Sequence, residues 1–200
     1  MPFPSKTDRS AILSAALDEL SSGGIRNLSL RNIAATLGLA PNALYRYFSD
    51  RAALEAALAD ECAHKLEVVL RKAAHGADAA KSIRTMANAY LRFAKQNRNL
   101  YEVFMSFHTP DQAGSPRKSL WSFTVEQVQR ITVETLAGEA AVALWALLHG
   151  AATLEAGQVH GEKKPASGFE FGLSAWLLLA ETHSSGASSP SSMKVSRKTK

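Results

Sequence analysis

The chain of 200 residues contains one cysteine, Cys62, and no apolar run as long as the roughly 18 residues that a membrane-spanning helix requires. A single cysteine excludes an internal disulfide and a zinc site built from several thiolates. The six histidines are scattered without H-x-x-x-H or H-E-x-x-H spacing, so we expect no metal and no cofactor. The first ten residues, MPFPSKTDRS, lack the apolar segment of a secretory signal. These absences predict a soluble, cytoplasmic protein that does not contact the membrane.

Sites of enzymatic chemistry are also missing from the sequence. There is no glycine-rich phosphate-binding loop, because Gly23-Gly24 is the turn between two helical stretches. No activated nucleophile or acid–base pair can be recognised by its spacing. The sequence therefore predicts that the protein is not an enzyme.

Positive charge is concentrated in two segments. The formal net charge is +5, and most of it comes from Lys194, Arg197, Lys198 and Lys200 in a tail without acidic residues. Residues 26–51 contain four arginines and a single acid, namely Arg26, Arg31, Arg46, Arg51 and Asp50. Phosphate binding depends on charge at the contact surface rather than on the overall balance. The excess within 26–51 therefore favours a nucleic acid as the partner.

Apolar residues recur three and four positions apart, and no segment alternates with a period of two, so we expect an all-α fold. The pattern predicts helices at about 6–22, 29–37, 41–48, 50–76, 78–97, 99–108, 117–136, 138–159 and 169–182. Proline and glycine predict a loop at 109–116. The serine-rich, basic residues 183–200 are predicted to be disordered.

The segment Leu28–Arg51, LSLRNIAATLGLAPNALYRYFSDR, has the pattern of two short helices joined by a turn. Ser29 can cap the first helix with its hydroxyl oxygen, and Gly38 can end it in the left-handed conformation that glycine adopts at least cost. Pro41 suits the first position of the second helix, where an N–H would have no partner. The outer face of that second helix carries an amide, two phenols and a guanidinium, which is typical of a helix that enters the major groove.

These residues resemble the DNA-binding domain of the TetR family of transcriptional repressors. The similarity covers about residues 8–62 and rests on LSLRNIA, LGLAPNALYRYF and SDRAALEAAL, in which the turn glycine, the proline and the Leu-Tyr-x-x-Phe block are in register. Ala40 stands where many members have serine or threonine, and Arg51 stands where lysine is usual. Arg51 keeps the positive charge and adds a fork that can hold one phosphate with two bonds.

Nine residues are predicted to contact DNA. Geometry and the resemblance place Pro41, Asn42 and Ala43 at the end of the recognition helix that enters the groove, where Asn42 can pair with adenine N6 and N7. The resemblance implies that Tyr45 and Arg51 bind phosphates and orient the domain. The remaining candidates are Tyr47, Arg31, Arg46 and Ser29. The alternative is that these side chains are only the solvated face of a helical bundle.

The segment after Gly76 contains more aromatic residues than packing requires, which indicates a pocket for an apolar or flat small molecule; an ordinary core is the alternative. Trp145 and His149, followed by Gly150, are similar to the Trp-His-Gly signature of one TetR C-terminal subfamily. The two rings share a helix face, and the alternative for His149 is a core histidine bonded to a backbone carbonyl. The predicted lining residues are Tyr90, Phe93, Phe104, Phe107, Trp121, Trp145 and His149.

The last two predicted helices are apolar and carry little charge, which fits a four-helix interface between two copies; burial within one subunit is the alternative. One helix-turn-helix covers only half of a palindromic site, so specific binding also calls for a homodimer. The resemblance implies the same pairing of helices.

The sequence thus predicts an N-terminal three-helix DNA-binding domain at 1–62, joined by a long helix to a ligand-binding and dimerisation bundle at 63–182, and a basic tail at 183–200. The expected function is that of a ligand-responsive repressor, which binds palindromic operator DNA as a homodimer and is released by a small, largely apolar or aromatic effector. The alternatives are a ligand-independent architectural DNA-binding protein and a helical enzyme that uses the C-terminal cavity.

Overall fold

A computed structural model describes residues 8–106, 114–157 and 166–186, with the side chains of the last segment limited to 168–183. Within these ranges the only regular secondary structure is helical, which confirms the all-α prediction. Residues 109–113 of the predicted 109–116 loop, Phe107, residues 158–165 and the tail beyond Gly186 lie outside the described residues. The helices are α1 (Arg9–Asn27), α2 (Leu30–Thr36), α3 (Pro41–Leu44), α4 (Arg51–Ala73), α5 (Ala79–Gln96), α6 (Arg98–Ser106), α7 (Pro116–Gln129), α8 (Glu134–Ala156) and α9 (Ala166–Gly186).

The first three helices form a small N-terminal head. Ile12, Ala16 and Leu20 of α1 are buried, as the periodicity predicts. The helical backbone of α1 is interrupted at Gly24, which adopts a non-helical φ of 70°, two residues beyond the expected end at residue 22, and a short helical piece follows to Asn27. Only glycine reaches this left-handed region at little cost, so the break lies at the glycine pair where the sequence predicts a turn.

α4 connects the head to the rest of the molecule. It begins at Asp50, whose carboxylate accepts a hydrogen bond from the Ala53 N–H at 2.7 Å and caps the helix. The helix packs against α1 of the head and against α5, α6 and α7 of the body. Leu58 and Cys62 are fully buried on this shared helix. A single apolar core therefore runs from the head into the body.

Several helix boundaries differ from the sequence prediction, and α9 extends to Gly186, four residues into the segment 183–200 that the sequence predicts to be disordered. The expected helix at 117–136 is broken between α7 and α8, where Ile131 and Thr132 are buried in the connection. Ile131, Thr132 and Val133 are consecutive β-branched residues, which are weak helix formers. α3 ends at Leu44 rather than at Phe48, because the chain tightens there into a turn in which the Tyr47 N–H bonds the Leu44 carbonyl at 2.9 Å.

α8 and α9 lie on the outside of the body. Gly172 permits their close approach, since a Cβ there would lie 2.9 Å from Leu147. An ion pair between Arg84 and Glu170, 2.7 Å apart, joins α9 to α5. Among the described helices, α8 alone is long and apolar enough to span a membrane by length and composition, and 28% of its most apolar 18-residue segment is buried within the chain.

Candidate nucleic-acid interface and effector cavity

The turn between α2 and α3 has the geometry that the sequence predicts. Gly38 adopts a φ of 66°, and the Leu39 N–H reaches back to the Ala34 carbonyl at 2.9 Å, which closes the end of α2. Ala40 and Pro41 then start α3, with the proline in the first turn. Leu44 is completely buried and fixes the inner face of α3 against the head. The opposite face of α3 is consequently held toward solvent.

Polar side chains cover that outer face and the turn that follows α3. Pro41, Asn42 and Arg46 are exposed, and Tyr45 is 53% exposed. In the described part of the chain, none of the hydrogen bonds or ion pairs involves the side chains of Asn42, Tyr45 or Arg46. Ala43 and Tyr47 are half-buried, and Tyr47 packs against the core. The face therefore offers an amide, a phenol and a guanidinium for an external partner.

The two predicted residues on α2 take different positions. Arg31 is exposed in the first turn of α2, on the same head as α3. Ser29 stands at the N-cap with extended backbone, but its side chain makes no capping bond, contrary to the prediction. Its backbone carbonyl instead accepts the first helical bond, from the Ile33 N–H at 3.0 Å. The start of α2 thus depends on burial of Leu30 and Ile33 rather than on a side-chain cap.

Arg51 is tied to the protein. Its Nη2 donates to the Ile25 carbonyl at 2.7 Å, and its Nε donates to Glu55 Oε1 at 2.7 Å. The side chain remains 50% exposed. The guanidinium therefore braces the end of α1 against α4 and still presents part of its fork to solvent.

A partly open cavity of about 450 Å³ lies in the body between α4, α5, α6, α7 and α8. Four of the predicted lining residues border it: Tyr90, Phe104, Trp121 and Trp145. Aliphatic side chains such as Leu66, Met86 and Leu148 complete most of the wall. A volume of this size is typical of sites that enclose a small organic molecule.

A chain of hydrogen bonds runs along one side of the cavity. Trp145 Nε1 donates to the Tyr90 hydroxyl at 3.2 Å, the Tyr90 and Tyr101 hydroxyls are 2.7 Å apart, and Tyr101 lies 2.9 Å from His149 Nδ1. Burial is the main cause that raises the pKa of both Tyr90 and Tyr101 above the usual value. Both phenols are therefore neutral at physiological pH and act as hydrogen-bond donors and acceptors.

Two predicted lining residues lie elsewhere. Phe93 is buried in the core on α5, outside the wall of this cavity. His149 borders a second cleft of about 460 Å³, between α5, α6 and α8, together with Tyr101. Its ring is bonded to a phenol rather than to a backbone carbonyl. Trp145 and His149 share a helix, but they serve different cavities.

The thiol of Cys62 lies on α4, outside the wall of the cavity. Cys62 is fully buried, and this burial raises the pKa of its thiol to about 12, so the reactive thiolate is absent at neutral pH. In the residues that the structure describes, no three histidine, cysteine or acidic side chains are grouped as metal ligands.

An apolar surface covers the outer faces of α8 and α9. Phe171 is 79% exposed, Leu178 65%, Leu179 59% and Val142 53%. We call these four residues the α8–α9 patch. Large apolar side chains exposed on two neighbouring helices commonly mark a protein–protein interface.

Comparison with known proteins assigns both parts of the chain to one family. Residues 12–58 match the bacterial regulatory proteins of the TetR family. Residues 83–175 match the tetracyclin repressor-like C-terminal domain. The chain belongs to the TetR family. Regulators of this family are DNA-binding transcription factors rather than enzymes, in line with the resemblance, whereas the Trp-His-Gly subfamily is not confirmed.

Individual relatives support the same assignment. An uncharacterized HTH-type transcriptional regulator from Haemophilus influenzae is 31% identical over 99 residues, which are 48% of this chain and 48% of that protein. The alignment thus spans about half the length of this curated relative. A protein of unknown function from Rhodococcus sp. RHA1 superimposes with a TM-score of 0.75 at 25% identity, over 90% of this chain and 99% of the other. A TetR variant from Acinetobacter baumannii AYE, solved in complex with minocycline, has a TM-score of 0.69 over 89% of this chain and 98% of the other; at 19% identity it shows the fold alone.

Two further residues, which the sequence pattern does not indicate, are Arg117 at the cavity wall and Asp60 on α4. Arg117 borders the cavity and lies over the Phe104 ring at 4.3 Å. The sequence offers one weak indication of Arg117. It lies in the first turn of α7, where no acidic residue is present and where a positive charge is unfavourable to the helix dipole. Nothing in the spacing indicates that it faces inward.

Proposed function

We propose that this TetR-family chain is a repressor that binds palindromic operator DNA as a homodimer and is released by a small effector with a largely apolar or aromatic body. The observation on which the proposal depends is the outer face of α3. Asn42, Tyr45 and Arg46 are held outward by the buried Leu44 and have no partner among the described residues. Side chains left free on a short helix beside a glycine turn are suited to the major groove.

The roles of the head residues follow from their chemistry. Asn42, Pro41 and Ala43 at the start of α3 read bases, with the Asn42 amide able to pair with adenine. Tyr45 and the exposed part of Arg51 bind phosphates. The remaining four predicted contacts supply either kind of bond: Ser29, Arg31, Arg46 and Tyr47.

Dimerisation through the α8–α9 patch supplies the second head. The patch is apolar, and water contact with its four large side chains is unfavourable in a single copy. Burial against the same patch of a second copy satisfies two-fold symmetry and supplies a second head for the other half of a palindromic site. The length and apolar character of α8 are explained by this interface, and we place the protein in the cytoplasm.

The cavity provides the effector site, and α4 and α6 connect it to the head. Leu66 of α4 and Phe104 of α6 both border the cavity. On α6, the Asn99 amide donates to the Leu20 carbonyl of α1 at 2.9 Å. An effector that shifts either helix therefore changes the position of the head. A coupling of about 1–3 kcal/mol, which is usual for allosteric pairs, corresponds to roughly 5–150-fold weaker DNA binding.

The cavity also separates this proposal from a ligand-independent architectural DNA-binding protein. A protein that only shapes DNA has no need for an internal volume of about 450 Å³ bordered by two tryptophans. One solved structure with the same fold holds minocycline.

Selection of bound sequences from a random DNA pool tests the proposal. We expect a palindrome, bound by a species of twice the chain mass in sedimentation. Asn42→Ala should change the preferred sequence, whereas Tyr45→Phe should weaken binding to all sequences by about 10- to 100-fold, the value of one hydrogen bond to a charged phosphate. Arg92→Gln, at an exposed site on α5, is the control for loss of charge. Recovery of no common sequence, or of a single non-repeated half-site, would contradict the proposal.

A further inference from the structure

The charged residues that border the cavity are cations. Among the described residues, Arg117 and Lys118 of α7 line it, and no aspartate or glutamate does. Hydroxyl groups of Ser115, Ser122 and Thr124 lie along the same helix and its cap. The rest of the wall is mainly aliphatic and aromatic. A chamber of this kind is complementary to a molecule with an apolar body and one negative group.

Arg117 has an unused donor at this wall. Its Nη2 donates to the Phe104 carbonyl, and its guanidinium lies over the Phe104 ring. Its Nε is buried and has no acceptor among the residues that the structure describes. A buried donor without a partner is costly, and a carboxylate oxygen is the acceptor that guanidinium N–H groups bind most strongly.

We propose that the effector is an amphipathic organic acid, whose carboxylate is bound by Arg117 and whose apolar body occupies the part of the cavity that Trp121 and Trp145 border. This inference rests on the proposed function and adds the chemical class of the effector. Burial also lowers the pKa of the Arg117 guanidinium, while the negative charge of Asp60 raises it. A bound carboxylate would act in the same direction as Asp60 and stabilise the charged guanidinium.

The same arginine connects the acid to the head. Arg117 holds the Phe104 carbonyl near the end of α6, and its charge acts on Asp60 of α4. Asp60 in turn feels the charge of Arg9 at the start of α1. A carboxylate bound to Arg117 competes with the Phe104 carbonyl of α6 and with Asp60 of α4 for the guanidinium. It therefore acts on the two helices that contact the head. The acid is therefore expected both to bind and to weaken DNA binding.

Matched acids and amides test the inference, because each pair differs in charge and hardly in shape. The pairs are naphthoic acid and naphthamide, decanoic acid and decanamide, and phenylbutyric acid and phenylbutyramide, titrated calorimetrically into the full chain. We expect at least one acid to bind about 10- to 100-fold more tightly than its amide, the usual effect of a charge-assisted hydrogen bond. Arg117→Gln should remove this preference and leave amide binding unchanged. Arg92→Gln, at an exposed α5 position outside the cavity wall, should retain the preference.

Other outcomes overturn the inference. They are equal binding of acid and amide in every pair, a preference that survives Arg117→Gln, and no binding by any acid. If Arg117→Gln fails to fold, Arg117→Lys replaces it and should keep amide binding while losing part of the acid preference. If a neutral amide binds and releases operator DNA, the proposed function remains supported, but the inference that the effector carries a carboxylate is contradicted. Failure to select any operator would instead contradict the proposed function, whichever ligand binds.

Discussion

The head and the cavity place their working residues in opposite ways. On the head, the candidate DNA contacts come from the 23 consecutive positions 29–51, and Asn42, Tyr45 and Arg46 point away from the fold. Around the cavity, five separate helices contribute the wall, and Tyr90 and Tyr101 are bonded to each other while they fill the core. Residues on the head can therefore change function without changing the fold. Cavity residues cannot, because packing and binding share the same atoms.

Truncation of one tyrosine in each region gives the sharpest test of this difference. Tyr90→Ala removes a buried ring of the cavity wall and breaks the hydrogen bonds to Trp145 and Tyr101, so it should lower the free energy of unfolding by about 3–5 kcal/mol. Tyr45→Ala should change that free energy by less than about 0.5 kcal/mol, because the ring is half-exposed. Urea denaturation measures both. Similar losses of stability at the two sites would remove the distinction.

The same difference explains what the sequence could predict. The turn at Gly38, the buried Leu44 and the outward Asn42 follow from neighbours along the chain, and local spacing is sufficient to place them. The helix content and the family also follow from such local patterns. The cavity wall depends on how five helices pack, which spacing does not reveal.

Errors in the prediction have the same physical origin. Aromatic content identified the right region of the chain but could not separate Phe93 in the core from Phe104 at the wall. Arg117 was missed because its inward direction is set by the α6–α7 packing. Even on the head, the absence of a Ser29 cap reflects side-chain orientation rather than residue type.

Arg51 is an exception among the head residues, because it both stabilises the fold through its bonds to Ile25 and Glu55 and leaves half of its side chain exposed for DNA. Arg51→Gln should lose the bond to the Ile25 carbonyl and the ion pair to Glu55, and so reduce stability by about 1 kcal/mol. It should also weaken DNA binding. If one phosphate contact is lost, the slope of log affinity against log salt concentration should become less steep by about one unit.

Glu55→Gln is the matched control for Arg51→Gln. It removes the ion pair but leaves the arginine and its bond to Ile25 in place. Filter-binding assays at several salt concentrations should show an unchanged salt dependence for this variant. If Arg51→Gln lowers stability and leaves the salt dependence unchanged, Arg51 only braces the head and does not bind phosphate.

Asp60 lies where the two regions meet and gives the smallest expected effect. Burial raises the pKa of its carboxyl above the usual value, although Arg117 at the cavity and Arg9 on the head act in the opposite direction. The folded state therefore holds this proton more tightly than the unfolded state does. The stabilising contribution of Asp60 is complete below about pH 4 and is lost as the pH rises through the folded pKa. Asp60→Asn should consequently raise the melting temperature slightly at pH 7 and less at pH 4, with Asp18→Asn at an exposed α1 position as the control. A lower melting temperature for Asp60→Asn at pH 7 would mean that attraction to the two arginines outweighs burial, so that charge rather than packing joins the head to the cavity.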